Sequence, residues 1–229
     1  MSSNLATSSQ CSVINFPTIE VSKHNYNKDI SQEVFPLRDM CDINKFKNFF
    51  LTNKQYRNYA LFTFGINTGL RCGDIVSLQW KNIIDINGNL IPDFIVREEK
   101  TGKFRKIHLN QITVDALLLY MNHIKKDSVL TSFGYVFSSF NHMTEKLEVN
   151  SVYRMLKRTA KDIDICFNIG THTMRKTWGY HQYKIHSESN PRFIYELQKM
   201  FGHDSSDTTL SYIGITDEKH VEYYDDVNL

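Results

Sequence analysis

The 229-residue sequence predicts an α+β fold that is mostly α, a helical bundle with a small three-stranded antiparallel sheet on one edge. Three observations predict it. Apolar residues recur at helical spacing in successive segments between Asp42 and Ile213. Only residues 83–109 carry short β-branched runs set apart by glycine turns. No segment repeats, which excludes a solenoid.

Residues 1–35 are polar and irregular, and Met1–Gln10 has the composition of a disordered segment. Phe16-Pro17 and Phe35-Pro36 interrupt any helix, because the residue before proline avoids the helical region. A helix is expected from about Asp42, with Ile43, Phe46, Phe49 and Phe50 on one face. A second covers about Lys54 to Thr68 and ends at Gly69, and a short third begins at Gly73-Asp74. Ile83–Ile86, Leu90–Val96 and Phe104–Leu109 read as strands joined by turns at Asn87-Gly88 and Thr101-Gly102. Helices follow over about Thr113–Lys125, Ser151–Ile163, Met174–His186, Pro191–Met200 and Thr208–Ile213, with one more expected over Asp217–Asp226. The organisation is a flexible polar arm (1–35), one domain (36–216) and an acidic tail (217–229).

Hydrophobic content of 41% and charged content of 23% are ordinary for a folded domain. No apolar run reaches the roughly 18–20 residues of a membrane span, so no membrane partner is expected. The N-terminus has no secretory apolar core. Cys11, Cys41, Cys72 and Cys166 have no paired spacing, as expected of reduced thiols in a cytoplasmic protein rather than of a disulfide framework or zinc site. The net charge is only +2, but residues 40–216 hold 23 Lys and Arg against 16 Asp and Glu. The tail holds five acidic residues against Lys219 alone. A basic body with an acidic tail fits a polyanion-binding surface and a segment that avoids the polyanion.

Five polar anchors carry the chemistry: Arg71 in Thr68-Gly69-Leu70-Arg71, the pair His172 and Arg175 in His172-Thr173-Met174-Arg175, His203 after Gly202, and Tyr212 nine residues beyond His203. A phosphodiester resists nucleophiles because it is anionic. Breaking it requires charge neutralisation, a nucleophile and an acid for the departing oxygen. Two arginines can clamp the non-bridging oxygens with their planar forks. A tyrosine that forms a covalent phosphotyrosyl product conserves the bond energy, so strands rejoin without ATP. His172, one turn before Arg175, can move protons near neutral pH. Each residue alone reads as an ion pair, a structural histidine or a packing aromatic; the joint pattern points to cutting and rejoining DNA without metal or cofactor.

These segments, together with Gly73-Asp74-Ile75-Val76-Ser77-Leu78 and Phe201-Gly202-His203-Asp204-Ser205-Ser206, resemble the catalytic domain of the tyrosine recombinases. That family comprises phage integrases, Xer-type resolvases and DNA invertases, and the resemblance covers about residues 36–216. It implies that Arg71 is the first catalytic arginine and that Asp74 is the acidic residue bracing the site. Lys100 is the hairpin lysine, similar to a general acid for the leaving 5′ oxygen. Lys103 stands across the same turn; Lys100 precedes the turn dipeptide as the family lysine does. His172 and Arg175 match the His-x-x-Arg pair, His203 the histidine or tryptophan on the scissile phosphate, and Tyr212 the nucleophile. Arg154, Lys157, Arg158 and Lys161 form one basic stripe on a helix whose family counterpart approaches DNA.

The implied partners are double-stranded DNA, a homo-tetramer on paired sites and an accessory DNA-bending protein, with the tail docking on a neighbouring protomer. Most family members carry a helical DNA-clamping domain where this chain has about 35 polar residues. Two readings of that difference stand: a fragment of a longer protein, or a short recombinase resembling fimbrial-type inversion enzymes, which the opening Met favours. The difference also motivates an alternative function, a non-catalytic DNA-binding regulatory module. A relaxing enzyme resembling type IB topoisomerases shares the chemistry.

Overall fold

A computed structural model describes residues 33–127, 134–139 and 145–215. The arm before residue 33 and the helix expected over Asp217–Asp226 lie outside the described residues. Helix α1 (Met40–Thr52) starts at Asp39, whose carboxylate accepts the Cys41 amide at 2.7 Å and satisfies one of the unpaired donors of a helix start. Helix α2 (Tyr56–Thr68) runs through the centre of the bundle and packs on α1, on α4 (Gln111–Asp127) and on α6 (Thr171–His186). The short α3 (Cys72–Val76) follows it. Helices α5 (Val149–Asp162), α7 (Phe193–Phe201) and α8 (Ser206–Ile213) complete the set among the described residues.

The main core is aromatic around α1 and α2. Phe46, Phe50 and Phe62 are fully buried, and Phe46 stacks on Phe62 with centroids 4.9 Å apart. Val152, Leu156 and Ala160 put the apolar face of α5 into this core, which leaves Arg154, Lys157, Arg158 and Lys161 exposed on the other face. A separate cluster of Tyr180, Phe193, Leu197, Phe201, Ile213 and Ile215 fills the space between α6, α7 and α8.

The sheet has two strands rather than the three expected. Strands β1 (Asp93–Arg97) and β2 (Phe104–His108) pair antiparallel in the register Asp93↔His108 to Arg97↔Phe104. The Ile83–Ile86 run is β-branched, but its backbone is spent on turns. Ile83 and Ile84 both donate to the Trp80 carbonyl at the end of a 3-10 turn over Trp80–Asn82. Asp85 then accepts the amides of Asn87 and Asn89 at 2.8 Å each, closing a tight Asx-type loop. Ile84 is left with one isolated bridge to Leu90, and Pro92, which has no N–H, delays the ladder to Asp93.

Candidate active site

The α2–α3 corner positions the first arginine. Gly69 adopts φ +62°, and a Cβ there would lie 2.3 Å from the Trp178 ring, so the corner requires glycine on both grounds. The chain leaves this corner with Arg71 as the residue preceding α3. The Gly69 carbonyl accepts from Arg175 Nη1 at 2.6 Å and from Arg105 Nη1 at 3.3 Å. Arg175 sits in the first turns of α6 and is 3% exposed. Its Nη2 donates to the Phe201 carbonyl at 3.2 Å, and Arg71 Nη2 donates to the same oxygen at 3.3 Å. Two arginines from distant parts of the sequence therefore converge on one backbone acceptor. Burial holds the Arg175 guanidinium down to about 10, still fully cationic at neutral pH.

Tyr212 enters from α8. Its hydroxyl lies 3.1 Å from His172 Nδ1. The rings of Phe201 and His203 flank it at 5.3 and 4.9 Å, and Lys176 Nζ stands 5.1 Å from its centroid. Burial raises the Tyr212 phenol above its usual range, while the charges of Arg175 and Arg71 pull the other way. Burial, followed by the charges of Arg175, Lys176, Arg71 and Lys100, holds His172 below the usual histidine range. His203 is lowered by burial and by the two arginines, and its Nδ1 lies 3.1 Å from Thr209 Oγ1.

Arg71, Asp74, Lys100, His172 and Arg175 line one cleft of about 490 Å³, with Val149 at the start of α5 also in its lining. Lys103 is not among its lining residues. The basic stripe of α5 lies on an exposed face and lines none of this cleft, with Lys157 Nζ donating to Asn168 Oδ1 at 2.7 Å. A larger cavity of about 860 Å³, between α2, α4 and α5, contains none of the five anchors.

Asp74 acts on the hairpin backbone: its Oδ1 accepts the Glu99 amide at 2.8 Å. Burial raises its carboxyl above the usual range against the pull of that hydrogen bond, and Oδ2 is buried without a hydrogen bond. The carboxylate on Arg71 is Glu98, a residue the sequence reading did not select. Glu98 Oε2 accepts from Arg71 Nη1 at 2.7 Å and from the Thr101 hydroxyl at 2.8 Å. Burial pushes the Glu98 carboxyl up, but Thr101 and Arg71 outweigh it and the net shift is downward. Arg105, also missed, donates to the Thr68 and Gly69 carbonyls and lies over the Trp178 ring. A signal existed for both. Phe94, Val96 and Glu98 share one parity on the hairpin, as do Arg105 and Ile107, so an acid and a base fall on the buried face.

Comparison with known proteins follows the same lines. Residues 38–219 match the profile of the Phage integrase family. The probable integrase/recombinase YoeC of Bacillus subtilis is 34% identical over 186 residues, which covers 81% of this chain and 92% of YoeC. Tyrosine recombinase XerD of Halalkalibacterium halodurans is 27% identical over 169 residues, 73% of this chain and 52% of XerD. The chain thus spans about half the length of that XerD. Among solved structures, XerA recombinase superposes with a TM-score of 0.63 at 20% identity, covering 86% of this chain and 66% of XerA. XerH recombinase, in a post-cleavage complex with a palindromic difH substrate, gives 0.63 at 18% identity, covering 87% of this chain and 55% of XerH. The two structures establish a shared fold.

Proposed function

The chain belongs to the phage integrase family, and from that premise we propose that it is a site-specific DNA recombinase cleaving and rejoining strands through a 3′-phosphotyrosyl link at Tyr212. One observation carries the reading. The Tyr212 hydroxyl is hydrogen-bonded to His172 at 3.1 Å, and Arg71 and Arg175, from separate elements, converge beside it.

In the Nε2–H tautomer, neutral His172 accepts the phenolic proton through Nδ1 as Tyr212 Oη bonds to phosphorus. Arg71 and Arg175 turn their forks from the Phe201 carbonyl to the non-bridging oxygens and stabilise the charge that gathers there. The bond from phosphorus to the 5′ oxygen breaks, and Lys100 Nζ supplies the proton that makes it a 5′ hydroxyl. His203 donates Nε2–H to a phosphate oxygen in the tautomer whose Nδ1 accepts the Thr209 hydroxyl, which leaves the Ser205 carbonyl to do so. Attack by a 5′ hydroxyl from the same or a partner duplex reverses the step and frees Tyr212. No metal or ATP enters this sequence. The exposed stripe of Arg154, Lys157, Arg158 and Lys161 grips the DNA backbone. Double-stranded DNA is the partner, with four protomers on two sites and an accessory bending protein as further members. The difH complex of XerH supports DNA in that role.

The test is a covalent trap. The purified chain is incubated with supercoiled plasmid carrying the DNA that flanks its gene, without metal or ATP, and quenched with SDS. An adduct that disappears in Tyr212→Phe is the expected result. Binding without an adduct in the unaltered chain would overturn the catalytic reading in favour of a regulatory DNA-binding module.

A further inference from the structure

Glu98 is 6% exposed and lies between Arg71 and the turn that carries Lys100, two parts of the cleft lining. A single oxygen, Oε2, takes both the Arg71 guanidinium at 2.7 Å and the Thr101 hydroxyl at 2.8 Å. Lys100 lies between Glu98 and Thr101 in sequence, so this oxygen ties the lysine-bearing turn to the arginine directly. The turn's own closure does not depend on the side chain. The Gly102 amide donates to the Glu98 carbonyl at 2.8 Å and the Glu98 amide to the Lys103 carbonyl at 2.9 Å. What the carboxylate controls is where the closed turn sits relative to Arg71. Its charge has a second effect. Arg71, Arg105 and Arg175 crowd the same corner through the Gly69 and Phe201 carbonyls, and Glu98 Oε1 lies 4.0 Å from Arg105 Nη1. Without the Glu98 carboxylate in direct contact, like charges would push Arg71 out of line.

We propose that Glu98 is a positioning residue that holds Arg71 and the Lys100 turn in one register, so that the phosphate clamp and the leaving-group proton donor engage the same phosphodiester. This rests on the recombinase reading of the cleft and on Lys100 as the acid. It differs from the role of Asp74, whose hydrogen bond runs to the Glu99 backbone and which feels Arg71 and Arg175 through charge alone.

The readout separates positioning from stability. Once the covalent trap has mapped the scissile phosphate, duplexes are made with either an ordinary or a 5′-bridging phosphorothiolate linkage at that position. Sulfur departs as a thiolate and needs no proton, so the second duplex bypasses the acid. Glu98→Ala slows adduct formation about 100-fold on the ordinary duplex, in the range of losing one preorganised electrostatic contact. On the phosphorothiolate duplex it recovers at least about tenfold of that loss, as Lys100→Ala does more completely. Glu98→Gln, which keeps an acceptor for Thr101, falls between wild type and Glu98→Ala. Thr101→Val leaves the Arg71–Glu98 pair intact; it loses several-fold in rate, and the phosphorothiolate duplex restores all of that loss. This variant decides the matter if Glu98→Ala does not fold. Equal losses on both duplexes, or no loss in either Glu98→Ala or Thr101→Val, would overturn the proposal. Absence of any adduct with the unaltered chain would instead sink the recombinase reading itself, so the two failures are distinct.

Discussion

Arg71 and the Lys100 turn stand on the large core built by α1, α2, α4 and α5 with the hairpin, whereas Tyr212 and His203 stand on the small aromatic cluster between α6, α7 and α8. The first half is braced by buried charge: Glu98 on Arg71, Asp74 on the hairpin amide and Arg105 on two carbonyls of the α2–α3 corner. The second half is braced by ring contacts, with Phe201 against Trp178, His203 and Tyr212 at 5.3–5.8 Å. Opening free energy follows the apolar area and the hydrogen bonds a region must give up, so the half carrying Tyr212, with the smaller cluster, is expected to have the lower opening cost. On the proposed reading, the electrostatic half is preorganised, and Tyr212 stands on the part expected to be repositioned without melting the rest.

Arg175 is where the comparison breaks first, because it bridges the halves from Gly69 O to Phe201 O. Arg175→Ala removes two charge-assisted hydrogen bonds from a buried position, a loss of about 3 kcal/mol or more in stability. Adduct formation falls at least about 100-fold. Arg175→Lys retains the charge but lacks the fork, so it also loses most activity. Denaturant unfolding and the covalent trap together check this, and a stable, active Arg175→Lys would remove the bridge from the argument. Gly69→Ala tests the same corner from the backbone. It forces an L residue into φ +62° and a methyl into the Trp178 ring, at about 2–4 kcal/mol. A melting temperature within a degree of wild type would contradict it.

Much of this was legible in the sequence, and the failures have physical causes. Helices such as α2 and α5 were readable because one face must be buried at a 3.6-residue period. The first strand was not, because β-branched side chains at Ile83–Ile86 promise a ladder that the Asp85 loop and Pro92 take away. The anchors Arg71, His172, Arg175, His203 and Tyr212 could be singled out because the proposed chemistry constrains residue type and spacing together, and the structure places His172 and His203 against Tyr212 and both arginines on one carbonyl. Their convergence point could not, since a backbone carbonyl such as that of Phe201 has no signature in residue identity. Glu98 could have been found by treating a charged residue at the buried parity of β1 as a finding rather than as an exposed turn residue.

Matched truncations sharpen the contrast in stability. Leu61 in the main core and Leu197 in the cluster are both fully buried, so each Leu→Ala change costs about 2–5 kcal/mol if the domain unfolds as one unit. Hydrogen exchange then separates the halves. Leu197→Ala lowers protection in α7 and α8 while leaving α2 near its native value. Uniform loss across all helices would show a single cooperative unit and end the distinction.

On the proposed mechanism, the acid limb of activity is expected to come from the cluster half. Burial and the charges of Arg175, Lys176, Arg71 and Lys100 hold His172 below the histidine range, so its neutral, proton-accepting form persists below about pH 6.5. The sign follows: cleavage is flat as pH falls through 6.5 and declines only at lower pH, where the imidazole is protonated. Because the folded value is depressed, the stability it contributes is present above the unfolded value and lost as pH falls. Single-turnover cleavage across pH 5–8 measures this, with the limb absent in His172→Gln. A midpoint at or above 6.5 would contradict it.

The smallest expected effect concerns DNA grip, and it assigns that grip to one half. Arg154, Lys157, Arg158 and Lys161 project from a helix whose inner face is part of the main core. If each meets one phosphate, every substitution by alanine lowers the slope of log K against log salt by about 0.9, and all four together by about 3 to 4. Affinity at any single salt concentration changes only modestly, so the slope is the discriminating quantity. Lys157 adds the least affinity, though the same slope, because its ammonium has to leave Asn168 to reach a phosphate. Tyr212→Phe and Leu197→Ala, which alter only the cluster, leave the slope unchanged. A slope that fell with Leu197→Ala but not with Lys161→Ala would place the DNA surface on the nucleophile's half and reverse the division of labour argued above.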